Sequence, residues 1–421
     1  MVRIDLAILN AAQLLTVADD GKGPRRGPRQ NELDVLADAG IAVSGDRIID
    51  VGPSAAVAGR HDLGQATIID ATGKIVLPGL VDSHTHPIFS VDRCDEYAER
   101  LAGKSLSEIA AAGGGIWSTV THTRTASDER LAVTFETTLA AMLHHGTTTI
   151  EAKSGYGQTT EQELRLLRLI DDVARRTRAN IVPTFLGAHV VPRDEENADA
   201  YVERIIAEML PAVAAQGIAK FCDVSCEKGW FSNEQCRRIL ERSSALGLKT
   251  KFHVDAFAAG GGWRQAVAAH AISADHLTFT PDTEIEEAGT TDTVAVLMPE
   301  AELCYFSTRR ANARKLIETG VPVAIATDFC SSIHASSLLQ ALPIAAAWFR
   351  MTPEEVIIGA TLNGAYAIGL AESVGSLQAG KRADILVIDV PDYRRLAYEF
   401  GGERISHVVA GGELIRRPAQ E

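Results

Sequence analysis

Positive charge, cysteine and aromatic side chains are all scarce in this sequence, and long apolar runs are missing. Of 421 residues, 41 are Lys or Arg against 55 Asp or Glu, a net charge of -14, which repels nucleic acids and anionic membrane surfaces at long range. No apolar run approaches the roughly 20 residues that a membrane-crossing helix needs. The opening MVRIDLAILNAAQLLTV carries Asp5 and lacks a basic region leading to a small-residue cleavage site. A cytoplasmic protein without nucleic-acid or membrane partners is expected. The six cysteines, Cys94, Cys222, Cys226, Cys236, Cys304 and Cys330, are too few and too scattered for a disulfide framework. Cys222 and Cys226 lack a second pair of matching spacing, so they read as packing residues and not as a structural zinc site. What is present, 46% hydrophobic and 23% charged residues, excludes disorder and fits an enzyme with a large core.

From about Lys74 to Leu370, short β-branched runs alternate with helical segments, the pattern of repeated βα units around a parallel sheet. Eight candidate strands stand out: 74–86, 147–155, 180–189, 218–227, 248–255, 271–277, 293–299 and 321–329. Eight is the number that closes a (β/α)8 barrel, a TIM-like α/β fold. Thr160 with Glu163, Ser232 with Gln235 and Thr352 with Glu355 have the spacing of capping boxes. Gly146, Gly217, Gly247 and Gly320 sit where helices should end.

The flanks differ. Residues 1–73 and 376–421 contain short strand-like stretches with Gly or Asp turns and no crossover helix, and neither is long enough for a generous core alone. They are expected to meet as one composite β-sandwich beside a barrel of residues 74–375. The polar, Gly/Pro-rich segment 20–32 reads as an exposed loop. No internal repeat stands out.

Chemistry concentrates at strand ends. In Asp82-Ser83-His84-Thr85-His86, alternate side chains on a strand point to one side, so His84 and His86 can offer two imidazoles to one ion. His189, His253, His276 and Asp328 occupy the C-terminal ends of later candidate strands, and a barrel delivers all those ends to one face. A divalent ion held by neutral imidazoles and a carboxylate keeps a position for water and yields hydroxide near neutral pH. Asp328 is the best candidate base and proton shuttle. His276 can hydrogen-bond a carbonyl oxygen as it becomes an oxyanion.

Several stretches carry a closer likeness: PGLVDSHTH, DSHTHPIF followed by Arg93, GGGIWSTV (113–120), HGTTTIEAKSGYG (145–157), FLGAHVVP (185–192), the turn Cys226-Glu227-Lys228-Gly229, SADHL (273–277), VAIATDF (323–329), MTPEEV (351–356) and LNGAYAIG (362–369). On these the chain resembles the amidohydrolase superfamily, and within it the imidazolonepropionase family of histidine degradation. The resemblance implies that His84, His86, His253 and Asp328 hold one zinc or iron ion and that Arg93, Tyr156 and His189 contact substrate. It implies ring opening of imidazolone-5-propanoate to N-formimino-glutamate, or of a close analogue, by metal-hydroxide attack on the ring carbonyl. The substrate is then a small cyclic amide bearing a carboxylate, for which Arg93 offers a planar fork. A homodimer, the commonest soluble assembly, is expected.

The chain departs from that family in the pocket. Ala256 stands where the family carries Glu or Gln, Phe329-Cys330-Ser331-Ser332-Ile333-His334 replaces the Asn-Pro-Gly and small hydroxyl residues that follow the last-strand Asp in the family, and Ser90-Val91 replaces a Gly pair. Lost hydrogen-bond partners shift selectivity strongly, which opens a second reading: another cyclic amide or imide, or deamination of a heterocycle. Cys330, two residues from Asp328, is read as a packing or substrate-contact residue. Lys153 is read as an ion-pair partner of Glu151 or another neighbour, not as a carbamylated metal bridge. Arg309-Arg310 reads as a solvated pair and His144-His145 as a helix end.

Overall fold

A computed structural model describes residues 2–401 and 404–416. The last five residues of the expected C-terminal flank, 417–421, lie outside the described residues.

Eight parallel strands run in chain order around one sheet: Leu80–Asp82, Thr147–Lys153, Asn180–Ala188, Phe221–Cys226, Lys249–Val254, Ser273–His276, Val294–Leu297 and Val323–Ile325. Buried on both faces, such strands read as near-continuous apolar runs, which is why all eight fall inside the segments expected. The seam between the first and eighth closes at their C-terminal ends. There Thr85 bridges to Phe329, the His86 N–H donates to the Phe329 carbonyl at 2.7 Å, and the Asp328 N–H donates to the His84 carbonyl at 3.2 Å. The fold is the (β/α)8 barrel.

The first candidate strand is split. Ile75–Pro78 leaves the barrel and pairs with Gln13–Leu15 and Ile385–Ile388, and only Leu80–Asp82 enters the barrel sheet. Gly79 makes the break: a Cβ there would sit 2.2 Å from the Thr148 Oγ1. The flanks build two sheets. One has four strands, with Leu6–Ala11 between Ala39–Ser44 and Thr67–Asp70. The other has six, drawn from both ends of the chain. The two share a core that includes Ile8, Ile41, Val43, Val76, Ile385, Val387 and Val409. Contrary to the sequence reading, this region does contain a helix, Ser54–Arg60, which leads into the strand that pairs parallel to Leu6–Ala11, a pairing no hairpin can make.

Two further expectations are corrected. Segment 20–32 is not an exposed loop: Arg25 and Gln30 are buried, and Gly27–Asn31 forms a 3-10 turn. The Gln30 side chain donates to the Val323 carbonyl at 3.0 Å and accepts from the Val323 N–H at 3.2 Å, docking the segment at the start of the eighth strand. The capping boxes at Ser232/Gln235 and Thr352/Glu355 form, but Thr160/Glu163 does not. Thr159 caps that helix instead, accepting from the Gln162 N–H, because Glu163 is occupied elsewhere. Its carboxylate accepts from the N–H groups of Gly155, Gly157 and Gln158 at 2.9, 2.8 and 2.8 Å. Among the described residues, no helix is long and apolar enough to cross a membrane.

Candidate functional site

At the C-terminal mouth of the barrel, His84 and His86 follow the first strand, His253 lies on the fifth and Asp328 follows the eighth. The Nε2 atom of His86 is 3.2 Å from that of His84 and 3.3 Å from that of His253. The Asp328 Oδ1 is 3.6 Å from the His84 Nε2 and 3.5 Å from the His86 Nε2. A tetrahedral ion with bonds of about 2.0–2.1 Å separates its ligand atoms by roughly 3.3 Å, so the four groups have the spacing of a metal centre.

Electrostatics point the same way. The His84 Nδ1 lies 2.6 Å from the Asp275 Oδ2 and the His253 Nδ1 3.0 Å from the Asp223 Oδ2. A carboxylate beside Nδ1 keeps the proton on that nitrogen, so Nε2 presents a lone pair. Facing lone pairs in a buried cluster repel unless a cation lies between them. Burial holds His84 and His86 well below the usual imidazole range, with Lys153 acting further on the former and His189 on the latter. Burial likewise pushes the Asp328 carboxyl well above its usual range; an ionised Asp328 therefore calls for positive charge beside it. The residues present fit a divalent ion.

Around this cluster opens a cavity of 420 Å3 lined by His86, Arg93, Tyr156, His189, His253, His276, Asp328 and Cys330. His84 sits beneath it, fully buried. All nine residues singled out from the sequence thus meet in one place. Several backbone conformations there are unusual. His276 and Asp328 adopt φ of 85° and 54°, a left-handed region that residues with a Cβ rarely occupy. It aims both side chains into the mouth. The His276 ring centroid is 5.3 Å from those of His84 and His253, and burial beside His253 holds it neutral, well below its usual range. His189 stacks on His86 at 4.9 Å, and burial, with His253 nearby, lowers it to about 3. The Nε of Arg93 donates to Glu96 at 2.8 Å, which fixes the guanidinium at the wall. Tyr156 follows a sharp turn at Gly155 (φ 102°), where a Cβ would meet the Leu186 carbonyl at 3.0 Å and the His189 Nδ1 at 3.1 Å.

Of the residues that depart from the resemblance, Ala256, Cys330 and Ser332 line this cavity. Ala256 presents no polar side chain, and its N–H donates to Glu227 at 2.6 Å. Ser331 hydrogen-bonds Thr119 at 2.8 Å, while the Ser332 Oγ lies 3.2 Å from the Tyr305 hydroxyl and 3.3 Å from the Cys330 sulfur. His334 turns away to pack on Phe329 at 4.8 Å. Arg310 donates to the Trp348 carbonyl, and neither Arg309 nor Arg310 lines the cavity. Lys153 does pair with Glu151, at 2.6 Å, and equally with Asp223.

Sequence reasoning missed the wall formed by Trp117, Trp230, Phe257 and Tyr305, and it missed that Asp223, Lys251 and Asp275 join the Lys153 and Glu151 pair in one buried group. The latter left a signal: Glu151 and Lys153, and Lys251 and His253, stand two apart in otherwise apolar strands. Strand alternation puts each pair on one face.

Comparison with known proteins agrees with this geometry. Residues 75–415 match the amidohydrolase family. The imidazolonepropionase of Rubrobacter xylanophilus is 44% identical over 401 residues, covering 95% of this chain and 96% of its own. That of Alkaliphilus oremlandii is 39% identical over 417 residues, covering 98% of each. Among solved structures, a zinc-bound adenosine deaminase from Xanthomonas campestris superposes with a TM-score of 0.70 at 18% identity, covering 98% of this chain and 93% of its own. At that identity the likeness is one of fold. The chain belongs to the amidohydrolase family, in the company of these imidazolonepropionases.

Proposed function

We propose that this protein opens a small five-membered cyclic amide by hydrolysis of its C–N bond, with imidazolone-5-propanoate, or a close analogue bearing a carboxylate, as substrate and N-formimino-glutamate or its analogue as product. The observation that carries the reading is the convergence of three imidazole Nε2 atoms and the Asp328 carboxylate within 3.6 Å links of one another. His84, His86, His253 and Asp328 would hold one divalent ion, zinc or iron. Such an ion supplies Lewis acidity that activates water at neutral pH.

The chain's own groups do the rest. Asp328, at the cavity floor, takes the proton of the attacking water at its carboxylate and returns it to the ring nitrogen as the C–N bond breaks. The neutral His276 imidazole donates a hydrogen bond to the carbonyl oxygen as negative charge develops there. Arg93 pairs with the substrate carboxylate, and Tyr156, His189 and Cys330 line the rest of the ring's surroundings. Ala256 and the Cys330-Ser331-Ser332 segment favour a second reading, in which the ring is a related cyclic amide or imide, because no side-chain hydrogen bond comes from position 256.

The test is a panel of five-membered cyclic amides, imides and ureas with and without carboxylate tails, incubated with metal-loaded protein and followed by ring ultraviolet absorbance and ammonia release. Ring opening without ammonia is expected. Ammonia release from a heterocycle, with no ring opened, would replace this reading by a deaminase. His253→Ala should lose bound metal and activity together.

A further inference from the structure

Beneath the four candidate ligands lies a second group of potential ligands. Oxygen and nitrogen atoms of His84, Glu151 and Asp275 all come within 4.8 Å of one another, and Asp223 adjoins them through Lys153. By donor type and spacing this could take another cation. Two ammonium groups already stand there. The Lys153 Nζ is 2.6 Å from Glu151, 2.6 Å from Asp223 and 3.9 Å from Asp275. The Lys251 Nζ is 3.3 Å from Glu151 and 3.7 Å from Asp275, and donates to the Ser83 carbonyl at 3.0 Å. None of the five side chains has exposed surface.

We propose that Lys153 and Lys251 take the place of a second metal ion: their ammonium groups neutralise Glu151, Asp223 and Asp275, of which Asp275 orients His84 and Asp223 orients His253, and so restrict the centre to one ion. The inference rests on the reading of His84, His86, His253 and Asp328 as metal ligands. Its physical basis is charge balance in a dry interior. Three carboxylates against two ammoniums leave one excess negative charge, and charges without water must be paired or neutralised. A lysine ammonium is a compact point charge able to sit among several oxygens, as a hard cation would. Deleting one ammonium leaves the carboxylates underneutralised, with a ligand set still assembled.

The measurement is binding stoichiometry, read from metal-free protein reloaded with Mn2+, desalted, and examined by elemental analysis and electron paramagnetic resonance. Wild type should hold one Mn2+ per chain with the spectrum of an isolated ion. Lys153→Met and Lys251→Met should each hold two, with the exchange-coupled spectrum of neighbouring ions. Lys153→Met/Glu151→Gln, which removes one charge of each sign, should return to one. Two coupled ions in wild type, or folded single variants that still hold one at saturating Mn2+, would overturn the proposal. If a single variant unfolds without metal, Mn2+ should restore its far-ultraviolet circular dichroism; failure to do so counts equally against it, since the ammonium would then do something a cation cannot. Wild type that holds no ion, or His253→Ala that keeps one, refutes instead the ligand assignment beneath it.

Discussion

Glu227 illustrates how a single side chain can carry a pH signature. It closes the fourth strand segment at the cavity wall, is buried, and accepts the Ala256 N–H at 2.6 Å. Burial raises its carboxyl from the ordinary 4.5 to about 7, against the opposing pull of that hydrogen bond. A carboxyl raised by folding binds more protons in the native state between those two values, so its contribution favours the fold below the lower one and is lost as pH climbs to about 7. The size of that loss is about 3 kcal/mol. Glu227→Gln keeps an acceptor for Ala256 and removes the titration. Relative to the variant, wild type should therefore lose up to about 3 kcal/mol of urea-unfolding free energy between pH 4.5 and pH 8. Parallel stability profiles for the two proteins would mean that the carboxyl is not raised.

At the scale of elements, the loop between the second strand and its following helix shows how a side chain given up by one local motif serves another. Glu163 forgoes the capping box and holds three loop N–H groups, which fixes the turn carrying Tyr156. Charge-assisted bonds of this kind are strong. Glu163→Ala should free Tyr156 and raise KM about tenfold, equivalent to roughly 1.4 kcal/mol of lost binding, with kcat reduced much less. A fall in kcat at unchanged KM would put Tyr156 in the chemical step instead. This loop also marks a limit of legibility. The spacing Thr160/Glu163 suits a capping box, and only the folded chain reveals that Gly155, Gly157 and Gln158 compete for the same carboxylate. The eight strands were legible because apolar runs between helix signals have few other readings, and His84, His86, His253, His276 and Asp328 because each falls at a strand end. Segment 20–32 was misread because its polar composition normally means solvent, whereas Gln30 here satisfies both backbone groups of Val323. Asp223 and Asp275 were overlooked because their partners come from other strands.

Across the whole molecule, the candidate metal centre stands where the barrel closes. Its ligands come from the first, fifth and eighth strands or their ends, and the seam between first and eighth is held there by the Thr85 and Phe329 bridge and by backbone bonds flanking His84 and Asp328. An ion at this position would tie together segments 244 residues apart, from His84 to Asp328. Any ligand that binds only the native state stabilises it by mass action, by about 4 kcal/mol when present at a thousand times its dissociation constant. Chelation should therefore lower the thermal midpoint of wild type by several degrees, and zinc or iron should restore it. His253→Ala should melt near the chelated wild type and respond to neither treatment, because its remaining ligands no longer enclose the ion. Gln30→Ala offers the contrast: it loosens the opposite end of the eighth strand, so its midpoint should fall while the metal-dependent shift keeps its full size. Equal metal shifts in wild type and His253→Ala would locate the ion away from the seam and separate barrel closure from metal binding.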